Sequence, residues 1–442
     1  MLPAVAPERT LIVVGAGPKA LAIAAKRHVL RQLGWRVPKI LVIEKDEIAA
    51  NWCGRFGFTD GHQHLGTPPH KDIGFPYDSV CWTGFEAAVN GYMFNLSWQN
   101  YLIAQGGYAK WVDRGRPAPL HGEWGRYLQW VAQKVDVFVE IACAKKISIR
   151  EGKWRVQCSK EGEKKTSFEG DGIVITGLGA SSPPINKRHP RVMNGLTFWQ
   201  NIESFRGFKG TVAIVGGGET AASIAVALVQ AVSPSAIVQI FTSHASIYSR
   251  GESFFENQRY TDPHDWTDLT IADREQFIDR TDRGVFSVHA NSVLDRAENV
   301  RPMLGKATKI ESVAEALVLH VEYAGSQRKF AVDRLIWATG FNPLWFVKLL
   351  DESSCAPLVE AFSDDNRRST SRRITSDLSV AAFTPKLHIP MLANTSQGPG
   401  FPNLSCLGLL SDRILESYAT APVSRPKSMR DTPWSAVQSA RE

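Results

Sequence analysis

Two short runs rich in β-branched residues each break into a glycine loop and then a helical pattern, with first glycines at positions 15 and 216. Leu11-Ile12-Val13-Val14 leads into Gly15-Ala16-Gly17-Pro18-Lys19-Ala20, and Val212-Ala213-Ile214-Val215 leads into Gly216-Gly217-Gly218-Glu219-Thr220-Ala221. Both fit G-x-G-x-x-A. The first glycine makes a tight turn, the second lets a pyrophosphate approach the backbone, and the small last residue packs helix on strand. The helix that follows points its unpaired N–H groups at the anion. One copy is a weak signal, but two in strand-to-helix context imply two dinucleotides, one able to pass electrons to the other. The fold class expected is α/β, with two Rossmann-like dinucleotide-binding domains and a smaller, mainly helical substrate-binding region.

The pattern along the chain organises these parts. A helix is expected over about Ala20 to Leu33, and Lys39 to Glu44 reads as the next strand. Glu44 closes that strand 29 residues after Gly15, where an acidic side chain takes ribose hydroxyls, with Lys45 beside it; the insertion Gly34 to Pro38 accounts for the long spacing. Residues 51–97, rich in Gly, Pro, His and aromatics, read as a loop region over a ligand. Helical patterns follow at 98–111 and 124–135, then a β-rich stretch from Val137 to Thr176. The Pro-rich segment 180–191 reads as a linker. Ala236 to Phe241 supplies the second fingerprint's next strand, and 243–295 is irregular, then helical. The strand Leu335 to Phe341 carries Thr339-Gly340, echoing Thr176-Gly177, and suggests a return of the chain to the first domain. A helix is expected near 404–415. The domains expected are 1–205 with 336–420 for the first nucleotide and 206–335 for the second, the latter including a substrate segment at about 250–300. Residues 421–442 read as a disordered tail.

Composition removes several function classes. A net charge of +7 in 442 residues, with basic residues spread along the chain, suits anionic cofactors and carboxylates and gives no nucleic-acid patch. No apolar stretch approaches the ~20 residues of a membrane span. Six cysteines include no C-x-x-C, so neither a redox dithiol nor a zinc ribbon is supported, and a cytoplasmic protein with reduced thiols is expected. His62, His64 and His70 lack zinc spacing, so no metal is expected. Without a dithiol, flavin is the natural acceptor of a nicotinamide hydride.

Further motifs make the chain resemble the flavin-dependent N-hydroxylating monooxygenases, most closely the mycobactin-type L-lysine N6-monooxygenase branch, related to the L-ornithine N5-monooxygenases. They are Asn51-Trp52, the run His64 to Asp72, Gly216 to Ala222, Phe254-Phe255-Glu256-Asn257, Thr281 to Phe286 and Gly398 to Leu407. The resemblance implies FAD on the first fingerprint and NADPH on the second. It also implies N-hydroxylation of the L-lysine side-chain amine by a C4a-hydroperoxyflavin, for hydroxamate siderophore or related biosynthesis, with the amine and O2 as small-molecule partners and no protein nucleophile. Family likeness alone points to a homo-oligomer. Lys71 matches the lysine that pairs with the amino-acid carboxylate, and Asn257 the asparagine that bonds the same head group. Asn403 and Ser405 match the segment near the reacting amine, and Asp282 stands where the ornithine enzymes have asparagine. Cofactor contacts are expected from Gly15, Gly17, Pro18, Ala20, Glu44, Lys45, Trp52, His64, Gly66, Thr339, Gly340 and Leu404, and from Gly216, Gly218, Glu219, Thr220 and Arg250. Arg250 is the nearest candidate for the NADPH 2′-phosphate, because the strand end Phe241-Thr242-Ser243 has no arginine. Open alternatives are an L-ornithine or diamine hydroxylase, another class B flavin monooxygenase, and a non-catalytic dinucleotide sensor.

Overall fold

The first fingerprint strand, Thr10–Val14, is entirely apolar after its first residue and lies buried at the centre of a five-stranded parallel sheet. Parallel strands covered on both faces need such continuous apolar runs. The order is Lys386–His388, Gly172–Ile175, Thr10–Val14, Lys39–Glu44, Phe138–Ile141. The second fingerprint strand, Thr211–Val215, has the same place in a second parallel sheet, ordered Val300–Leu304, Ile237–Thr242, Thr211–Val215, Arg334–Trp337, Val192–Asn194. The computed structural model describes residues 8–56, 59–160, 165–180, 189–313, 316–363 and 370–422. The expected tail at 421–442 lies outside them beyond residue 422, as does most of the 180–191 linker.

Each sheet carries a three-stranded antiparallel appendage, Cys143–Arg150 with Lys153–Ser159 and Thr166–Gly170 in the first module, Lys306–Val313 with Ala316–Tyr323 and Ser326–Val332 in the second. The second appendage is absent from the sequence reading, although alternation in Leu317, Leu319 and Val321, all fully buried, marks it. The boundaries also differ from those expected. Val192–Asn194 joins the second sheet, and Phe198, Trp199 and Phe205 fill its core, so the second module starts near residue 192. Arg334–Trp337 completes that sheet. The return to the first module follows it, where Phe341–Asn342 pairs with Gly179–Ala180.

The helix Pro18–Gln32 packs its apolar face against the helix Leu407–Glu416. Between them lies a buried ion pair, Lys26 Nζ to Asp412 Oδ1 at 2.5 Å. Ser79 Oγ donates to Asp412 Oδ2 at 2.6 Å and Trp82 Nε1 to Oδ1 at 2.7 Å, so the carboxylate is fully used. Removing one member strands the others. Asp412→Ala is expected to cost about 3–5 kcal/mol in urea unfolding, whereas the Lys26→Met, Asp412→Leu double variant loses far less. Equal losses in the two variants would refute the pair as the cause.

Candidate functional site

The first fingerprint is shaped for an anion by its backbone. Gly15 has φ +101°, and a Cβ there would stand 2.7 Å from Thr176 Oγ1, which itself donates to Val14 O at 2.8 Å. The Thr-Gly strand end therefore pins the turn. Gly17 caps the helix, and a Cβ built on it meets no protein atom within 4 Å; the same holds at Gly177. Pro18 opens the helix, where its missing N–H costs nothing, and Ala20 is buried beneath it. The Ala16 N–H donates to Glu44 Oε2 at 2.7 Å and the Asp46 N–H to Oε1 at 3.1 Å, which holds the carboxylate at the strand end. This glycine loop, clear helix N-terminus and oriented acid fit an FAD. Lys45 is exposed, and Trp52 stands edge-on to His121, with ring centroids 4.8 Å apart.

The second fingerprint repeats the turn. Gly216 has φ +147° and would clash with Ala338 O, while Gly340 has φ +88° and open space around it, with Thr339 exposed beside it. Gly218 caps the helix Glu219–Ala231 and faces the Gly284 backbone, and Thr220 packs on Gly195. Glu219 Oε2 accepts from the Ser287 N–H at 3.0 Å, and burial raises its pKa. Across the module boundary a Cβ on Gly66 would come 3.9 Å from Glu219 Oε1, and the His64 and His289 rings lie 5.2 Å apart. These residues line a cleft of about 610 Å³ between the modules.

Lys71 is presented by a rigid neighbour. Asp72, fully buried, accepts from Tyr77 Oη at 2.6 Å, Trp98 N at 2.9 Å and Gly74 N at 3.1 Å, so it anchors the segment while Lys71 points the other way. Lys71 Nζ donates to Thr261 Oγ1 at 3.2 Å, and Thr261 Oγ1 donates to Asn257 O at 3.2 Å. Lys71 thus reaches the helix that carries Asn257, 186 residues away in the chain, while the Asn257 side-chain Nδ2 donates to Glu252 O at 2.8 Å. Asn257 is exposed on the helix Phe254–Thr261, whose first turn is closed by the Ser253 and Glu256 capping box. Gly400 lets the loop 398–403 press on that helix, since a Cβ there would overlap Tyr260 O. In the loop, Ser405 N donates to Asn403 Oδ1 at 2.9 Å, Ser405 is buried, and Leu404 packs on the core.

Arg250 faces this cluster. Its N–H bonds Phe286 O, its guanidinium lies 5.9 Å from the Tyr260 ring, and its charge acts on Lys71, Glu219 and Asp282. Burial, then Arg250, lowers the Lys71 pKa. Asp282 is solvent-accessible but walled in by protein, which raises its pKa against the pull of Arg250 and Arg283. Arg250 therefore stands within electrostatic reach of one cation, Lys71, and of two carboxylates, Glu219 and Asp282. The cavity of about 670 Å³ beside the end of strand Ile237–Thr242 is lined instead by His244, Tyr248, Glu256, Asp279 and Arg280. Arg250, expected at a 2′-phosphate, is not among its lining residues, whereas Arg280 is. Lys19 was also missed: it is buried, and its Nζ donates to Pro402 O at 2.7 Å and Asn403 O at 3.4 Å. Among the described residues no cluster of three or more His, Cys, Asp or Glu could hold a metal, and no helix is long and apolar enough to cross a membrane.

Comparison with known proteins gives a consistent result. The L-lysine N6-monooxygenase MbtG of Mycobacterium sp. (strain MCS) is 38% identical over 433 residues, 96% of this chain and 99% of the relative. MbtG of Mycobacterium tuberculosis (strain ATCC 25618 / H37Rv) is 36% identical, over 95% of this chain and 97% of its own. The solved lysine monooxygenase NbtG of Nocardia farcinica superposes with a TM-score of 0.80 at 39% identity, covering 92% of this chain and 100% of that one. The ornithine N-hydroxylase KtzI of Kutzneria sp. 744, at 19% identity, shares the fold, with a TM-score of 0.75 over 93% of this chain and 99% of that one. A family model described as L-lysine 6-monooxygenase/L-ornithine 5-monooxygenase matches residues 93–343. With two glycine turns that each open a helix, and relatives of this identity along nearly its whole length, the chain belongs to the L-lysine 6-monooxygenase/L-ornithine 5-monooxygenase family.

Proposed function

We propose that this chain N-hydroxylates the side-chain amine of L-lysine with FAD, NADPH and O2, as a step in hydroxamate siderophore or related natural-product assembly. The observation that carries the reading is the charge cluster about Arg250, which acts on Lys71, Asp282 and Glu219, a pattern complementary to an amino acid with a second amine. FAD, held by the first fingerprint and reduced by NADPH on the second, supplies the activated oxygen. Gly15, Gly17, Glu44 and the helix N-terminus take its phosphates and ribose. Lys71 takes the substrate carboxylate, and Asn257, on the helix that Lys71 reaches at Thr261, bonds the head group. Asp282 draws the cationic side chain in; the amine must then shed its proton against the ordinary lysine pKa of about 10.4. Asn403, Leu404 and Ser405 close the site against water. At the second nucleotide, an adenosine 2′-phosphate would lie in the cavity beside strand Ile237–Thr242, bordered by Arg280 and His244. A cytoplasmic location, with NADPH at hand and reduced thiols, is part of this reading, as is the homo-oligomer that the family likeness implies, which light scattering measures.

The test is a panel of L-lysine, L-ornithine and cadaverine with FAD-loaded protein, NADPH and air. Lysine is expected to give hydroxylamine; ornithine, one methylene shorter, falls behind by ~10–200-fold, since a methylene in a pocket is worth ~1–3 kcal/mol. Cadaverine lacks the carboxylate that Lys71 holds and is expected to saturate poorly. Peroxide alone from lysine, with hydroxylamine from another amine, would overturn the substrate. NADPH oxidation that no amine accelerates would favour the sensor.

A further inference from the structure

Lys19 sits inside the first fingerprint, in the opening turn of the helix Pro18–Gln32, and is 7% exposed. Its ammonium reaches 383 residues along the chain to donate to the Pro402 and Asn403 carbonyls. Among the described residues no carboxylate lies within ion-pair distance of it. Such a cation is costly in a fold, because buried charges are ordinarily paired. A methionine would fill the space more cheaply. Burial lowers the Lys19 pKa to about 8, so the ammonium persists at neutral pH but only narrowly. The missing counter-charge has an evident source, since the pyrophosphate of a dinucleotide lands on this same first helical turn.

We propose that Lys19 is a positioning residue that couples cofactor binding to substrate-site order: the negative charge of bound FAD stabilises the Lys19 ammonium, which grips the Pro402 and Asn403 carbonyls and fixes the loop presenting Asn403 and Ser405. The part about substrate rests on the function proposed above; the part about FAD and the loop does not. The grip is transmitted through Asn403, whose side chain orders Ser405 N and, through Nδ2, Pro399 O at 3.2 Å. The loop 398–405 has no ionisable side chain of its own. The titratable group that acts on Lys19 is Cys406, whose thiol burial pushes up to about 12 and on which Arg413 and Lys71 also act; nearby in the fold, Asp412 is spent on Lys26 and Glu44 on the Ala16 and Asp46 N–H groups. Lys19 is therefore the group there whose proton FAD binding would shift.

Three readouts on the full-length protein test this. In wild type, FAD is expected to slow amide exchange across residues 398–406 and, at pH 8, to draw a fraction of a proton from buffer on binding, measured by calorimetry in buffers of different ionisation enthalpy. Lys19→Met is expected to bind FAD within about tenfold of wild type, the weight of one screened charge contact, yet to lose both the loop protection and the proton uptake. Its NADPH-driven flavin reduction stays intact while the peroxide share of turnover rises about threefold or more, a split a merely structural lysine would not produce. Lys19→Arg, charged at every pH, restores loop protection without proton uptake. Unchanged protection in Lys19→Met, or no proton uptake by wild type, would overturn the proposal; should Lys19→Met fail to fold, the wild-type uptake and the arginine variant decide. If wild type hydroxylates no amine, the proposed function fails while exchange and calorimetry still judge Lys19.

Discussion

Gly17→Val is expected to fold and to purify without its yellow colour. Gly17 has φ −86° and ψ −171°, an extended conformation that valine adopts readily, and a Cβ there touches no protein atom within 4 Å. The apo fold should lose no more than about 1 kcal/mol, the usual weight of a poorer helix N-cap. The added methyl groups occupy the space through which a pyrophosphate reaches the helix N–H groups. Losing two or three such charge-assisted bonds, at ~1.5–3 kcal/mol each, lowers FAD affinity by at least ~100-fold. Gly15→Ala provides the contrast, because its left-handed backbone and the 2.7 Å approach to Thr176 Oγ1 make the turn itself fail. The check is flavin absorbance after desalting, beside apo-protein melting for both variants. Stoichiometric flavin in Gly17→Val would mean the pyrophosphate does not come to this turn.

Lys71→Ala is expected to raise KM for L-lysine by ~10–150-fold, since a hydrogen bond to a charged group is worth ~1.5–3 kcal/mol. Flavin reduction by NADPH should change little, because Lys71 belongs to the Thr261 and Asn257 cluster and not to either glycine loop. NADPH consumed in that variant goes increasingly to peroxide. Lys71→Arg is not a conservative control, since a planar fork replaces a point charge in a space already shared with Arg250. Stopped-flow reduction and steady-state hydroxylamine assays separate the two effects. A variant that loses reduction and hydroxylation in parallel would move Lys71 from the substrate to the cofactor.

Local pattern carried much of this architecture, and chain folding at long range carried the rest. The strand Lys39–Glu44 was legible to the residue, because an apolar run bounded by a charge has one fit beside Thr10–Val14. The Thr-Gly echo was legible as a pair, and both strand ends do brace a glycine turn. The boundary near 192 was not. Val192–Asn194 is a three-residue edge strand whose assignment depends on pairing with Leu335 to Trp337. Lys71 and Asn257 were singled out one at a time, through family motifs, whereas the Lys71 bond to the Thr261 hydroxyl is a product of tertiary packing. Arg250 was placed by nearness in sequence to a strand end, yet its backbone is tied to Phe286, which swings it toward Tyr260. Lys19 was hidden for a similar reason. Inside a glycine motif a lysine looks like a solvent-facing helix residue, and only the return of the chain at Pro402 covers it.

The edge strand Lys386–His388 and the helix Leu407–Glu416 belong to the module that begins at Thr10. During synthesis the order of completion is therefore inverted. The second module has all five strands once Trp337 has left the ribosome, while the first glycine loop, translated earliest, waits for His388 and for Asp412 to meet Lys26. The part of the helix Pro18–Gln32 that Leu407–Glu416 covers thus stays open while all of the second module is translated, although Glu86–Phe94 and His121–Lys134 can pack on the same helix early.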